Sequence, residues 1–433
     1  MGPSDHILTS IEICAGAGGQ AIGLHAAGFK HLALVEIDQH AVATLKENIR
    51  VLEGWSWERE YCDVVSGDVN DFRPIPRKKV PGSGLENPKK FLGGPLEKGK
   101  LDLLAGGVPC PPFSHAGKQL GKDDERDLFP RMLALVEELH PKAVMIENVR
   151  GIKDAKFEEY RTYIEARLQG GRAKRPETGV EEDFTGLGYE VCEWEVLEAS
   201  DFGVPQLRPR AVLVAIREDI LGDLKFVWPT PTGGPRSVFA ALEESMDDRY
   251  KPYLNMGGEV AEKAQRCLEK WKKEASAAAL SKKDGGVAPT LVGGSKKHGG
   301  ADLGPSRAKA AWKQLGVSGM GVANNHEEGE KKKSQDRDLF GAGGPMLTVK
   351  QAAIIQGFPD NWTFTGGKTA QYRQVGNAFP PPVAEVVGKA IADVLHAAHE
   401  RDTRTKGKPL DLLPVQSAPT LADSIDDRQR AGV

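Results

Sequence analysis

The chain has 433 residues, a hydrophobic share of 39% and a net charge of -3, which describes an ordinary globular protein with room for two domains. No apolar run approaches the ~20 residues that span a bilayer, and the N-terminus lacks the pattern of a signal peptide, so a cytoplasmic protein without a membrane partner is expected. Five widely spaced cysteines without a C-x-x-C pair indicate neither a disulfide framework nor a cysteine zinc site.

The first strong pattern is a strand, a glycine turn and a helix. An apolar strand over residues 7–13 leads into C-A-G-A-G-G at 14–19, and a second strand over 32–37 carries Glu36, 20 residues beyond Gly16. This spacing is typical of a nucleotide site, because glycines let the backbone approach the ligand and the carboxylate can hold ribose hydroxyls. The third glycine of G-x-G-x-x-G is missing, so a nucleoside cofactor without phosphates fits as well as a dinucleotide.

Two further segments bring polar residues to the same predicted sheet edge. A third strand over 61–65 is followed by Gly67 and Asp68, where Asp68 is either a cofactor carboxylate or a plain turn residue. A buried strand over 101–105 leads into two glycines and then P-C-P-P at 109–112. Prolines around Cys110 suit a nucleophile held in a rigid loop, and the alternative is a buried structural thiol.

Later strands add an acid and an arginine face. The apolar run at 143–146 is followed by Glu147 and Asn148, which we expect at the same carboxyl edge as a functional pair. The alternative interpretation is that Asn148 caps a helix. Gln206, Arg208 and Arg210 alternate with period two before another strand, so their side chains share one face. Such a face suits a phosphate or a base edge, because guanidinium is a rigid donor fork; a solvated basic strand is the alternative.

The composition changes between residues 217 and 345. We find poor periodicity and many glycines there, and residues 261–345 contain 16 Lys and Arg against 10 Asp and Glu. This predicts a loop-built nucleic-acid surface, and solvated lysine faces are the alternative. Helical structure returns at 346, and prolines open a last helix whose apolar positions 383, 386, 387 and 391 are expected to pack on the first domain. A polar tail is expected from about 397.

In this order the motifs closely resemble the DNA (cytosine-5) methyltransferase family of the prokaryotic restriction-modification type, over nearly all of residues 7–395. The resemblance rests on A-G-A-G-G at 15–19, Glu36, Asp68, P-C-P-P-F-S at 109–114, E-N-V at 147–149, Q-L-R-P-R at 206–210, Q-G-F-P at 356–359 and G-N at 376–377. It implies an α/β fold: a Rossmann-like seven-stranded sheet that binds S-adenosyl-L-methionine, with a smaller, loop-rich target-recognition domain. The implied boundaries are 1–216 and 346–396 for the catalytic domain, 217–345 for target recognition and 397–433 for the tail.

The resemblance also implies roles for individual residues. Four residues would be catalytic. Cys110 would be the nucleophile, and Glu147 would be the acid that protonates cytosine N3. Arg210 would hold cytosine O2, and Arg208 would belong to the same group and also contact a backbone phosphate. The cofactor site would contain Cys14, Ala15, Gly16, Gly18, Gly19, Glu36, Ile37, Asp68, Val69, Pro109 and Asn377. DNA contacts would come from Ser114, Gln206, Arg208, Lys296 and Lys297. No metal is required by this chemistry.

The implied activity is methyl transfer to carbon 5 of a cytosine flipped out of a specific duplex DNA sequence by a monomer, with a separately acting restriction endonuclease as a candidate partner. Departures from the family pattern are Cys14 in place of Phe, Pro111 in place of Gln, and Lys350-Gln351 in place of Arg-Glu. Three alternatives remain at this point: a transfer RNA cytosine methyltransferase, a dinucleotide-dependent oxidoreductase with a reactive thiol, and a catalytically silent DNA-binding protein.

Overall fold

The structure is a computed structural model that describes residues 6–74, 96–109, 127–293 and 301–406. Four residues of the expected site, Cys110, Ser114, Lys296 and Lys297, lie outside the described residues, as does the part of the expected tail after residue 406. Among the helices described, none is long and apolar enough to cross a membrane.

Seven strands form one sheet in the order β3-β2-β1-β4-β5-β9-β8. Neighbouring strands among the first five are parallel, and β9 runs antiparallel to both β5 and β8. The remaining two strands, β6 and β7, pair as an antiparallel ladder. The expected seven-stranded α/β fold is therefore confirmed. The strands are β1 Leu8–Ile13, β2 Phe29–Glu36, β3 Asp63–Ser66, β4 Leu103–Gly106, β5 Ala143–Val149, β6 Gly171–Lys174, β7 Glu181–Phe184, β8 Tyr189–Glu198 and β9 Pro209–Arg217.

Helices cover both faces of this sheet because its central strands are apolar on both sides: Leu103, Leu104 and Ala105 of β4 are all buried. The helices are α1 Gly19–Ala26, α2 Gln39–Val51, α3 Ser56–Tyr61, α4 Phe129–Leu139, α5 Glu158–Gln169, α6 Glu218–Leu221, α7 Val238–Leu254, α8 Gly258–Ser281, α9 Ser306–Lys313, α10 His326–Lys332, α11 Gln335–Asp338, α12 Val349–Gln356, α13 Lys368–Asn377 and α14 Pro381–Lys406.

The third strand begins two residues later than the sequence suggests. Tyr61 is the last residue of α3, and its ring lies 5.0 Å from that of Trp57, measured between centroids. Aromatic side chains four residues apart meet on one face of a helix, which favours the helical turn over an extended start to the strand.

The segment 217–345 is more helical than expected, and the description as a loop-built region is wrong for α7 and α8. Helix α8 buries a stripe spaced by four and three residues: Ala264, Leu268, Trp271, Ala275 and Ala278. This is ordinary helical periodicity. Three of its members are alanines, and lysines and glutamates surround them, which obscures the stripe in a hydrophobicity pattern.

The last helix packs against the first, as expected. Val383, Val387 and Ile391 of α14 are buried, while Val386 is partly buried. The two helices approach so closely that a Cβ atom added at Gly23 would lie 2.4 Å from the carbonyl oxygen of Pro381. Helix α14 thereby completes, together with α1, the helical layer on one face of the sheet.

Residues 397–406 are not a frayed tail, because α14 continues through them to Lys406. Arg401 donates hydrogen bonds to the carbonyl oxygens of Asp219, Ile220 and Leu221. The His399 ring stacks on that of His6, 4.4 Å between centroids. These contacts attach the end of α14 to α6 and to the segment before β1.

The carboxyl ends of the parallel strands meet at one edge of the sheet. Cys14 follows β1, Glu36 ends β2, Gly107 follows β4 and Glu147 lies near the end of β5. Strand β9 runs the other way, so its first residues lie at this edge, where Arg210 pairs in register with Val149. Ligands of open α/β sheets bind at this edge.

Candidate functional site

A cavity of about 240 Å³ opens at this edge. Six of the eleven expected cofactor residues line it: Cys14, Ala15, Gly16, Gly19, Glu36 and Asn377. The expected acid Glu147 lines the same cavity, together with Glu12, Gln20 and Arg373, which the sequence analysis did not single out. The cavity thus joins the glycine turn to the acid of β5.

The glycine turn brings the backbone close to the cavity and to the last part of the chain. Gly18 has φ 93°, in the left-handed region that favours glycine. A Cβ atom added at Gly19 would lie 2.3 Å from the carbonyl oxygen of Phe379. Any larger residue at position 19 would therefore push the residue-379 backbone away from the cavity wall.

Glu36 is fixed at the tip of β2 by three backbone amides. Its Oε2 accepts from Gly16 N at 2.7 Å, and its Oε1 accepts from Ile37 N at 2.9 Å and Asp38 N at 2.7 Å. The first of these bonds ties the carboxylate directly to the glycine turn. Carboxylate oxygens have further lone pairs, so Glu36 can still accept from a ligand's hydroxyl groups.

Glu147, which lines the cavity on the side away from Glu36, forms a mostly buried ion pair with Arg210. Arg210 Nε lies 2.8 Å from Glu147 Oε1, and both side chains are only about one eighth exposed, at 12% and 13%. Burial raises the pKa of the Glu147 carboxyl, although the charges of Arg210 and Arg208 act in the opposite direction. A carboxyl of this kind holds its proton to higher pH than an exposed glutamate does.

The segment that precedes Cys110 is held against Glu147. A Cβ atom added at Gly107 would lie 2.9 Å from Glu147 Oε2, and Asn148 Nδ2 donates to the carbonyl oxygen of Val108 at 2.8 Å. Asn148 is therefore not a helix cap, which was the alternative for this pair. Its amide joins the end of β5 to the segment after β4.

Arg208 does not face DNA, and the prediction of a phosphate contact is corrected. Its guanidinium is 1% exposed and donates to the carbonyl oxygens of Leu291, Gly376 and Ala378 at 2.7, 2.8 and 2.9 Å. Burial, with the nearby charge of Arg210, lowers the pKa of Arg208 to about 9. Nη1 and Nη2 bond to main-chain oxygens, while the buried Nε has no partner among the described residues, so this guanidinium joins loops together and does not reach a phosphate.

Gln206 is likewise a buried connecting residue in place of the expected DNA contact. Its amide has no exposed surface; Nε2 donates to Gln356 Oε1 at 2.7 Å, and Oε1 accepts from Leu291 N at 2.6 Å. The shared face of Gln206, Arg208 and Arg210 exists, but residues near 291 and 376 cover its first two members. Only Arg210 reaches the cavity region, through Glu147.

The other five expected cofactor residues do not line the cavity. Val69 is buried in the core and Gly18 packs under Trp362, whereas Ile37 is 64% exposed next to Glu36 and Pro109 is exposed after β4. Asp68 is half-buried, and its Oδ1 accepts from Asn70 N at 2.8 Å, as a turn residue does.

Cys14 lines the cavity as a protonated thiol. Burial and the nearby carboxylates of Glu36, Glu12 and Asp68 raise its pKa to about 12. Because the thiolate is the nucleophilic form of cysteine, Cys14 is a poor nucleophile at neutral pH. Its place in the cavity is that of a small apolar side chain.

Glu12 and Gln20 are site residues that the sequence analysis missed. Glu12 lies inside β1 with 1% exposure, and burial, followed by the charges of Glu36 and Glu147, raises the pKa of its carboxyl well above the usual range. Gln20 is the second residue of α1 and is 4% exposed. A charged residue between two isoleucines, Ile11 and Ile13, was the available signal for Glu12; Gln20 carried none.

The sequence is similar to a family of known proteins. The family model described as C-5 cytosine-specific DNA methylase matches residues 8–393. The Type II methyltransferase M.NaeI of Lentzea aerocolonigenes is 44% identical over 395 residues, which cover 91% of this chain and 76% of that protein. The Type II methyltransferase M.NgoMIV of Neisseria gonorrhoeae is 40% identical over 391 residues, covering 89% and 98%.

The fold has solved counterparts. The crystal structure of a Spodoptera frugiperda DNMT2 mutant superposes with a TM-score of 0.50 at 16% identity and covers 90% of this chain and 99% of that one. At this identity the likeness concerns the fold alone. The family match extends from β1 into α14 and so includes both ends of the cavity. The chain therefore belongs to the C-5 cytosine-specific DNA methylase family and is a DNA (cytosine-5) methyltransferase.

Proposed function

We propose that this enzyme transfers a methyl group from S-adenosyl-L-methionine to carbon 5 of a cytosine flipped out of a specific duplex DNA sequence, through a covalent adduct with Cys110. The observation that carries the proposal is the Glu147–Arg210 pair at one end of a cavity whose other end contains Glu36. Glu147 can thus donate a proton to a base, and Glu36 can bind a ribose, in the same cavity.

The residues on the wall fit the cofactor. Glu36 has acceptor capacity for the ribose hydroxyls, and the glycine turn leaves room that a Cβ atom at Gly19 would remove. Glu12 and Gln20 contribute buried polar atoms without a partner in the described ranges, as expected of groups that a ligand completes. When bound, S-adenosyl-L-methionine supplies an electrophilic methyl group.

The protein's own groups make the cytosine ring reactive. The Cys110 thiolate adds to carbon 6, and the electron pair of the 5,6 double bond moves into the ring as Glu147 donates its proton to N3. Arg210 holds Glu147 in place and donates to O2. Carbon 5 would then take the methyl group from the cofactor, leaving S-adenosylhomocysteine. Loss of the carbon 5 proton to solvent would then re-form the 5,6 double bond and expel the thiolate, and the N3 proton would return to Glu147.

The raised pKa of Glu147 supports its assignment as the acid, because a carboxyl must be protonated to donate. The target atoms are stacked within a duplex, so the base has to be flipped, at a cost of a few kcal/mol that phosphate contacts offset. Ser114, Lys296 and Lys297 remain proposed DNA contacts. The helical segment 217–345 is proposed to read the sequence, and the names of the Type II relatives suggest a separately acting restriction endonuclease.

The proposal is tested by incubating the enzyme with duplex DNA and tritiated S-adenosyl-L-methionine. We expect Cys110→Ser to abolish methyl transfer while retaining cofactor binding. Cys192→Ser is the matched control: it changes a half-buried thiol of the edge strand β8 that does not line the cavity, and activity should stay within about threefold of wild type. Full activity in Cys110→Ser would exclude the covalent mechanism.

The substrate is tested separately. Bisulfite sequencing of DNA from an expressing host should reveal one methylated sequence context. Duplex DNA should compete with the labelled substrate, and transfer RNA should not. Preferential methylation of transfer RNA would instead support the RNA methyltransferase alternative.

A further inference from the structure

Gln20 presents a buried side-chain donor that has no acceptor in the part of the chain that the structure describes. Its Nε2 atom has no hydrogen-bond partner among the described residues, although the side chain is 4% exposed and lines the cavity. Burying an amide without a partner costs folding free energy, so such groups usually mark a bound ligand, ion or water.

The backbone around Gln20 favours an anion. Gln20 lies in the first turn of α1, whose N-cap residue Gly18 provides no side-chain hydrogen bond. The first amides of a helix lack intrahelical acceptors, and the helix dipole makes this end partly positive. The side-chain amide and the helix terminus therefore place donors of the same character at one point of the wall.

Four of the other residues that line the cavity are acidic. Glu12, Glu36 and Glu147 all line the cavity, and the unpartnered Oε2 of Glu12 lies close enough to the other two for their charges to raise its pKa. The Glu36 carboxylate, which accepts three backbone hydrogen bonds, disfavours an anionic group of a ligand beside it. Arg373 also lines the cavity, but it is half-buried and can be solvated, whereas the Gln20 donor cannot.

We propose that Gln20 is a cofactor-specificity residue whose side-chain amide donates a hydrogen bond to the α-carboxylate of the methionine part of S-adenosyl-L-methionine. The proposal rests on the proposed function, since that assigns the cavity to this cofactor. Glu12, on the acidic side, faces the cationic part of the same ligand. The amino-acid end is then held by complementary donors and acceptors.

The test is calorimetric binding to the wild type and to Gln20→Leu, with three ligands. S-adenosylhomocysteine contains the carboxylate, decarboxylated S-adenosylhomocysteine lacks only that group, and 5′-methylthioadenosine lacks the whole amino-acid part. We expect Gln20→Leu to lower the affinity for S-adenosylhomocysteine about tenfold and to change the affinity for each of the other two ligands less than about twofold. Gln20→Glu should weaken S-adenosylhomocysteine further, because it adds a like charge.

Unchanged affinity of Gln20→Leu for S-adenosylhomocysteine would overturn the proposal, and so would an equal loss for all three ligands. Thermal unfolding without ligand checks the fold, and Gln20→Met is a second variant without the amide should Gln20→Leu not fold. Failure of the wild type to bind any of these ligands would instead contradict the proposed function.

Discussion

Arg210 Nε lies 2.8 Å from Glu147 Oε1, so the first arginine of β9 is an ion-pair partner of the acid on β5. The antiparallel pairing of these strands sets this contact, because it brings the start of β9 to the end of β5. Arg210 thereby orients the carboxyl, while burial still raises its pKa.

Glu147→Gln should lower the single-turnover methylation rate by about 10²–10⁴-fold, the usual contribution of a general acid. S-adenosylhomocysteine binding, measured by calorimetry, should change little. Because the pKa of Glu147 is raised, the wild-type rate should fall as pH increases through that raised value and the carboxyl loses its proton. A variant with wild-type rates would contradict the assignment.

Glu12→Gln should increase the free energy of unfolding at pH 8 by roughly 1–3 kcal/mol, because it removes the need to bury a charge. The pKa of Glu12 is raised in the folded state, so folding stability falls as pH rises from the normal carboxyl range through the raised value. Urea unfolding at several pH values should show this decline in the wild type and a smaller one in the variant. Glu259→Gln, at an exposed position on α8, is the control.

Arg208→Met should lower the free energy of unfolding by about 2–3 kcal/mol, because three carbonyl oxygens lose a charged donor. It should leave the salt dependence of DNA binding unchanged. A decrease of about one in the slope of log K against log salt would indicate a phosphate contact after all. Arg236→Met removes an exposed arginine and should stay within about 0.5 kcal/mol of wild type.

Gly23→Ala should lower the free energy of unfolding, measured in urea, by about 1–3 kcal/mol. The new Cβ would lie 2.4 Å from the α14 backbone, so the two helices must separate. This overpacking outweighs the better helix propensity of alanine. Gly67→Ala is the control, since no atom of residues 6–74, 96–109, 127–293 or 301–406 lies within 4 Å of its added Cβ. Equal stability of the two variants would exclude close α1–α14 packing.

Replacing Lys296 and Lys297 together by alanine should weaken binding to all duplex sequences by a similar factor. Two lost phosphate contacts would reduce the slope of log K against log salt by about two. Lys389→Ala removes an exposed lysine of α14 that pairs with Glu385 at 2.5 Å, and its slope should match that of the wild type. Unchanged slope in the double variant would exclude these lysines as phosphate contacts.

Local sequence patterns were enough to predict the sheet and the edge at which its polar residues meet. Apolar strands such as β1 and β4, the glycine turn at 14–19 and Glu36 at the end of β2 are all local patterns, and their order indicates the family. The carboxyl ends of parallel strands share one edge, so the strand pattern alone is enough to place Glu36 and Glu147 together.

Only the tertiary structure decided which polar residues reach that edge. Period two places Gln206, Arg208 and Arg210 on one face, but it contains no information about what covers the face. Backbone from residues 291 and 376–378, about 80 and 170 positions away along the chain, buries the first two. Gln20 has no pattern at all in sequence. It is noticed because its Nε2 atom is buried without a hydrogen-bond partner among the described residues, and this burial results only from the packing of the surrounding elements.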